Sequence, residues 1–342
     1  MGKYFRRELS IEEIKDMWLN TKVGEGRTFH IYVDNPFCFR ACDYCIYSPV
    51  VTPVNSDIYK EYYTKTLPNE IEKFRDIIES KPFSTIYFGG GTASYMSTHI
   101  MRDIFDRIPN FDKIVGKKME AHPSFFHKEK IDILAEYGFT HISLGVQSFD
   151  KRVIDKNNRL YNSPEKVKDL VEYAQSKNIS VNCDLLAFID NGDERDLDGI
   201  FRDLNILANE VGTDRITIYP MYQVLGKNSE DRNIELITQL RKKILLFLVK
   251  NKSWKATGDT LAGSLEELTR QININYLLKN TAKEINATVP LHSSTGPEEP
   301  QAEKQNVLAL GTGGNREIYS YFGRDFAYYN VMKDNKIIYV TV

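Results

Sequence analysis

Three cysteines, Cys38, Cys42 and Cys45, fall within eight residues and constrain this 342-residue chain more than any other stretch. They stand in Pro36-Phe-Cys38-Phe-Arg-Ala-Cys42-Asp-Tyr-Cys45, directly behind the apolar run Phe29-His-Ile-Tyr-Val33. Four thiolates close the coordination of a [4Fe–4S] cluster or a structural zinc. Three leave one iron with an open position, which a substrate or cofactor can occupy. A zinc site would have to borrow a distant ligand, and no second Cys or His pair at zinc-finger spacing occurs in the chain.

The bulk numbers narrow the class. Lys plus Arg of 45 against Asp plus Glu of 47 supplies no charge excess to drive binding to nucleic acid or a membrane surface, so neither is expected as a partner. The 20 Tyr and 18 Phe are enough to fill a core and still line a cavity for a flat ligand. Four cysteines, three of them in one window, are not a disulfide framework, which points to a reducing, cytoplasmic compartment. The charged start Met1–Glu8 has no apolar stretch behind it and reads as no signal peptide. The longest apolar run, Ile244–Val249, is too short to span a bilayer.

Along the chain, Ser10 caps a helix over 11–19, with Glu13 completing a capping box, and a glycine-containing loop closes a lead-in of residues 1–28. Strand one, 29–34, runs into the cysteine loop. A charged helical stretch, 57–80, precedes strand two, 84–88, which opens into Gly89-Gly-Gly-Thr92. A helix over 97–108 leads to strand three, 118–122. A helix over 129–137, stopped by Gly138, leads to strand four, 141–145. Helix 164–177, strand five over 179–186, helix 194–209 and strand six over 215–219 complete six βα units. Such alternation implies a parallel sheet with its chemistry at the carboxyl ends of the strands. Cys38–Cys45, the triple glycine, Glu120, Gln147 and Asp184 all fall at such ends. Period two turns Cys183 opposite Asp184, as a buried core thiol. Beyond residue 225 an amphipathic helix covers 230–250, a Pro-, Ser- and Glu-rich stretch over 284–305 reads as a long loop able to act as a lid, and 307–330 reads as a strand, a glycine turn and a closing β element.

With these residues in order, the chain resembles the radical S-adenosylmethionine superfamily, and within it the oxygen-independent coproporphyrinogen III oxidase-like (HemN-like) family. The matching residues are Pro36-Phe-Cys38 with the x3/x2 cysteine spacing, Gly89–Ser94, Glu120-Ala-His-Pro123, Ser143–Phe149, Arg159 and Asp184-Leu-Leu186. The resemblance implies an α/β fold, a partial (β/α)6 TIM-like radical SAM barrel over 29–225, with a small α+β carboxyl-terminal extension over 226–342. It also implies a [4Fe–4S] cluster on Cys38, Cys42 and Cys45, one or two molecules of S-adenosylmethionine, and a one-electron donor such as flavodoxin or ferredoxin. By the same resemblance Tyr44 packs on the cofactor's adenine. Gly89, Gly90, Gly91 and Thr92 make room for its methionyl end, and Tyr32, Glu120, Gln147, Arg159 and Asp184 hold it.

Some positions depart from the family pattern. Asp34-Asn35 replaces His-Ile before Pro-Phe-Cys, and Phe188-Ile-Asp190 replaces Gly-Leu-Pro after the strand-five aspartate. Tyr161 stands for a His, and Gly311-Thr-Gly-Gly-Asn315 for Gly-x-Gly-Ala-His. They imply a divergent branch and favour a radical enzyme that modifies a small molecule or peptide, by C-methylation or related carbon transfer with a second S-adenosylmethionine. The alternatives are the heme-pathway oxidase, which decarboxylates propionates to vinyls, and a non-enzymatic heme carrier.

Overall fold

A strand whose residues alternate buried and half-exposed has one face under helices and the other open. Strand three (Gly116–Ala121), strand four (His141–Gln147) and strand five (Ser180–Ala187) all show this alternation. Glu120, Gln147 and Asp184 lie on the half-exposed side of their strands. The computed structural model describes residues 7–24, 26–45, 47–221, 230–251, 254–257, 283–286, 305–312, 318–322, 326–333 and 336–341. The fold is α/β, and the chain groups into two compact units: residues 1–41, 45–142 and 292–342 in one, 42–44 and 143–291 in the other.

In the first unit, strand one (Thr28–Asn35) lies parallel to strand two (Phe83–Gly90), and strand two to strand three. Strand two reaches Gly90, so two of the three glycines are in the strand rather than the loop. The other edge of strand one pairs in parallel with Gln305–Leu310. An antiparallel meander follows, Ile318–Phe322, Phe326–Lys333 and Lys336–Thr341, ending on Glu8–Leu9. The carboxyl-terminal β segment is thus hydrogen-bonded directly to the strand that leads into the cysteine loop. The lead-in helix Ile11–Asn20 has the expected capping box between Ser10 and Glu13. It buries Trp18, whose ring sits 4.4 Å from Phe322 and whose Nε1 donates to the Tyr328 hydroxyl at 3.1 Å.

The expected helical stretch 57–80 is broken into Asp57–Glu61, a π turn Tyr62–Thr66, Leu67–Lys73 and Arg75–Ser80. Pro68 has no N–H for the carbonyl one turn back, and the widened turn absorbs that loss.

In the second unit, strand five pairs in parallel with strand six (Arg215–Pro220), strand six with Lys283–Asn286, and that strand with Trp254–Thr257. Helices Lys151–Lys156, Pro164–Ser176, Glu194–Asn205 and Glu230–Lys250 belong to this unit. The last buries Leu236, Leu240, Ile244, Leu245 and Leu248, the stripe its periodicity predicts. The long loop expected over 284–305 is corrected at both ends. Residues 284–286 pair as a strand, and Gln305 opens another. Residues 287–304, and the lid reading with them, lie outside the described residues. Among the described residues no helix is long and apolar enough to cross a membrane.

Candidate active site

Cys38 ends the short strand Phe37–Cys38, which pairs in parallel with Val50–Val51. The Phe37 ring is packed by Tyr59, Tyr62 and Tyr63, with centroids 5.3, 5.3 and 5.7 Å away. The π turn presents the last two tyrosines side by side. The Tyr62 hydroxyl donates to Asp34 O at 2.7 Å, and the Tyr63 hydroxyl to Asn35 Oδ1 at 3.2 Å. Asn35 Nδ2 in turn donates to Gly89 O at 3.1 Å. Asp34 and Asn35, where the sequence leaves the family pattern, are fully buried. Asn35 therefore ties the cysteine loop to the triple glycine.

That contact explains the glycines. Gly90 has φ +116, and a Cβ there would lie 2.7 Å from Asp34 Oδ1. A Cβ on Gly91 would meet Phe37 O at 2.8 Å, while Gly91 N donates to Asn35 O at 2.7 Å. The next residue puts its hydroxyl on the motif itself, with Thr92 Oγ1 3.1 Å from Cys38 Sγ. Strand two thus seats the cysteine loop by close backbone approach.

In the same unit Glu120 is oriented by two donors. Tyr87 OH reaches Oε1 at 2.8 Å and Gly90 N reaches Oε2 at 3.2 Å. Tyr32 stacks on Tyr87 at 6.0 Å and packs with Val307, Ala309 and Ile318. It is a buried aromatic in a strand whose residues 31–35 are all buried. Tyr328 and Tyr329 are buried, whereas Tyr319 and Tyr321 are half-buried.

In the second unit, Arg159 lies on Cys42. Its Nη1 is 3.6 Å from Cys42 Sγ, and its Nη2 donates to Gly145 O. Burial disfavours the Arg159 charge, but Tyr44 and Cys42 beside it outweigh that and raise its pKa. Tyr44 also packs on Val153, Ile189 and Met221. Asp184 is held on both oxygens, by Ser143 Oγ at 2.8 Å and Asn182 Nδ2 at 2.7 Å. Asn182 Oδ1 is fixed by Thr217 Oγ1 at 2.9 Å. Gln147 has φ +70, unusual for a residue with a side chain. The turn after it is braced by Asp203, whose Oδ2 accepts from Ser148 Oγ at 2.6 Å and Phe149 N at 3.1 Å.

Sequence reasoning missed Tyr87, Ser143, Asn182 and Thr217. Tyr87, Ser143 and Asn182 share a strand face with Gly89, Gln147 and Asp184, so face parity was the signal available, whereas Thr217 lies on strand six, where no site residue had been found.

None of the four cysteines is in a disulfide. Cys183 is fully buried, and burial pushes its thiol up to about 12, as for the core thiol its parity predicts. Among the described residues no three His, Cys, Asp or Glu side chains converge on a single metal ion. A four-iron cluster asks for something else, thiolates spread around a cube. Three unbridged thiols in one loop, one of them beside a guanidinium, fit that group.

The radical SAM superfamily profile matches residues 32–204, and the chain belongs to that superfamily. Membership implies a [4Fe–4S] cluster, S-adenosylmethionine, a substrate and an electron source. Within the superfamily the similarity is to the HemN-like group. The oxygen-independent coproporphyrinogen III oxidase of Helicobacter pylori is 24% identical over 349 residues, covering 96% of this chain and 71% of that protein. The heme chaperone HemW of Haemophilus influenzae is 26% identical over 200 residues, 56% of this chain and 51% of that one. The solved coproporphyrinogen III oxidase (HemN) of Escherichia coli, described as a radical SAM enzyme, matches with a TM-score of 0.66. It is 17% identical and covers 96% of this chain and 74% of its own, a likeness that shows the shared fold.

Proposed function

We propose that this chain is a radical enzyme of the oxygen-independent coproporphyrinogen III oxidase type, acting on a carboxylate-bearing tetrapyrrole. The observation that carries the reading is the match to the Helicobacter pylori oxidase along 96% of the chain. It displaces the expectation of carbon transfer with a second S-adenosylmethionine, which rested on the divergent positions alone.

In this reading Cys38, Cys42 and Cys45 hold the cluster. Tyr32, Tyr44, Gly89, Gly90, Gly91, Thr92, Glu120, Gln147, Arg159 and Asp184 hold S-adenosylmethionine, as one molecule or two. Reduced by a donor such as flavodoxin or ferredoxin, a cluster held by these three thiolates would supply the electron that splits S-adenosylmethionine into methionine and a 5′-deoxyadenosyl radical able to take a hydrogen from substrate. The protein's part is orientation. Glu120, fixed by Tyr87 and Gly90, presents carboxylate lone pairs to an amino group or ribose. Asp184, aligned by Ser143 and Asn182, does the same from strand five. Arg159 offers a guanidinium suited to a carboxylate.

The test is anaerobic reconstitution with iron and sulfide, then incubation with dithionite, S-adenosylmethionine and coproporphyrinogen III. The expected products are 5′-deoxyadenosine, carbon dioxide and a vinyl-bearing porphyrinogen, without S-adenosylhomocysteine. S-adenosylhomocysteine in step with substrate loss would restore carbon transfer. Tight heme binding with no substrate turnover would instead favour heme carriage, the reading that the HemW match supports. Equilibrium dialysis with labelled S-adenosylmethionine counts one or two sites.

A further inference from the structure

The exit of strand five carries Phe188-Ile189-Asp190, residues for which cofactor binding supplies no reason. Asp190 has a definite local role. Its carboxylate accepts from Arg152 Nη2 at 2.9 Å and Lys156 Nζ at 2.7 Å, and its carbonyl accepts from Lys156 Nζ at 3.0 Å. The Asp190 side chain is only 6% exposed, while both cations face solvent. Burial works against its charge, and Lys156 and Arg152 outweigh burial and lower its pKa. A carboxylate desolvated between two cations is held by charge-assisted bonds and leaves them uncompensated if removed.

Both cations belong to one short helix, Lys151–Lys156. The residues that follow it run onto the cysteine loop. Asn157 O accepts from Asp43 N at 3.2 Å, and Asn157 Nδ2 reaches back to Ile189 O at 3.4 Å. Arg159 N is held by Ile154 O at 3.1 Å, and the Arg159 guanidinium lies on Cys42. A continuous set of bonds therefore joins the strand-five exit to the middle of the cysteine motif.

We propose that Asp190 is a positioning residue for the cysteine loop: by clamping Arg152 and Lys156 it fixes the Lys151–Lys156 helix, whose last turn holds Asp43 and sets Arg159 against Cys42. The consequence for S-adenosylmethionine rests on the functional reading above; the clamp itself does not. It gives a role to Asp190, one of the positions that depart from the pattern of the family the sequence resembles.

The test uses Asp190→Asn and Asp190→Glu in the full chain, cluster-free and cluster-loaded, followed by hydrogen exchange with peptide mass spectrometry. In cluster-free Asp190→Asn, peptides containing Asp43 and Asn157–Arg159 should exchange about tenfold faster, with the rest unchanged. In the loaded form the S-adenosylmethionine dissociation constant should rise about tenfold. Asp190→Glu, which keeps the charge, should recover most of both. Unchanged exchange in those peptides, uniform acceleration across residues 143–251, or faster exchange with unaltered affinity each overturns the proposal. The functional reading fails separately, if the unsubstituted loaded chain makes no 5′-deoxyadenosine.

Discussion

The Arg159 guanidinium lies 3.6 Å from the Cys42 sulfur across 117 residues of sequence, and its other terminal nitrogen is bound to Gly145 O. One fork thus joins the cysteine loop to strand four. Lysine keeps the charge but has no fork and cannot serve both partners. Arg159→Lys is expected to keep its iron and lower 5′-deoxyadenosine formation by about tenfold or more, a loss of about 1.4 kcal/mol in transition-state stabilisation. Iron content and single-turnover 5′-deoxyadenosine yield, measured together, check it. Full activity in the lysine variant would show the fork to be dispensable.

The four cysteines should separate by reactivity. Cys42 and Cys45 are half-buried, whereas Cys183 is fully buried with its thiol pushed up to about 12. Only the thiolate attacks an alkylating agent, so in the cluster-free chain iodoacetamide should label Cys42 and Cys45 at least about a hundredfold faster than Cys183. Peptide mass spectrometry reads the order, and early labelling of Cys183 in the folded protein would contradict its placement.

Lys130 is a buried ammonium that donates to Ser94 O at 2.6 Å and Phe125 O at 2.9 Å. Desolvation lowers its pKa to about 8. An unfolded lysine titrates near about 10.4, so between pH 8 and that value the folded state binds fewer protons than the unfolded one. Stability should accordingly rise with pH through that window, and Lys130→Met should flatten the rise. Urea midpoints at about pH 7.5 and 9.5 for both proteins measure the difference. Parallel curves would mean that Lys130 does not contribute.

Phe188 adopts φ +63 while only 1% exposed, so relief of strain and loss of burial oppose each other on substitution. Relief of a left-handed conformation is worth about 1–2 kcal/mol, against about 3–5 kcal/mol for a deleted core phenylalanine. Burial wins. Phe188→Gly should destabilise the chain by about 2 kcal/mol, read from urea unfolding. A stabilised variant would mean the ring packs less well than its burial suggests.

The features legible in the sequence were those encoded over short spans. The Ser10–Glu13 box needs three residues, the strands need period two, and Cys183 follows from parity with Asp184. What stayed hidden depends on partners far apart in the chain. Nothing near Trp18 names Tyr328 as its acceptor, and nothing near Thr28–Asn35 names Gln305–Leu310 as its neighbour. The π turn was missed because Pro68 sits inside an otherwise regular helical pattern. The triple glycine was legible as a site for another reason: the sequence suggested room for a cofactor, and the structure adds a close approach by Asp34, Asn35 and Phe37.

The pairing of strand one with Gln305–Leu310 sets an order of events during synthesis. Asn306 Nδ2 donates to Thr28 O across 278 residues, so one edge of strand one has no partner until residues 305–310 have been made. Contacts so distant in sequence are slow to close, and an open strand edge invites pairing with another chain meanwhile. Strand one, which leads into the cysteine loop, thus gains its second neighbour late.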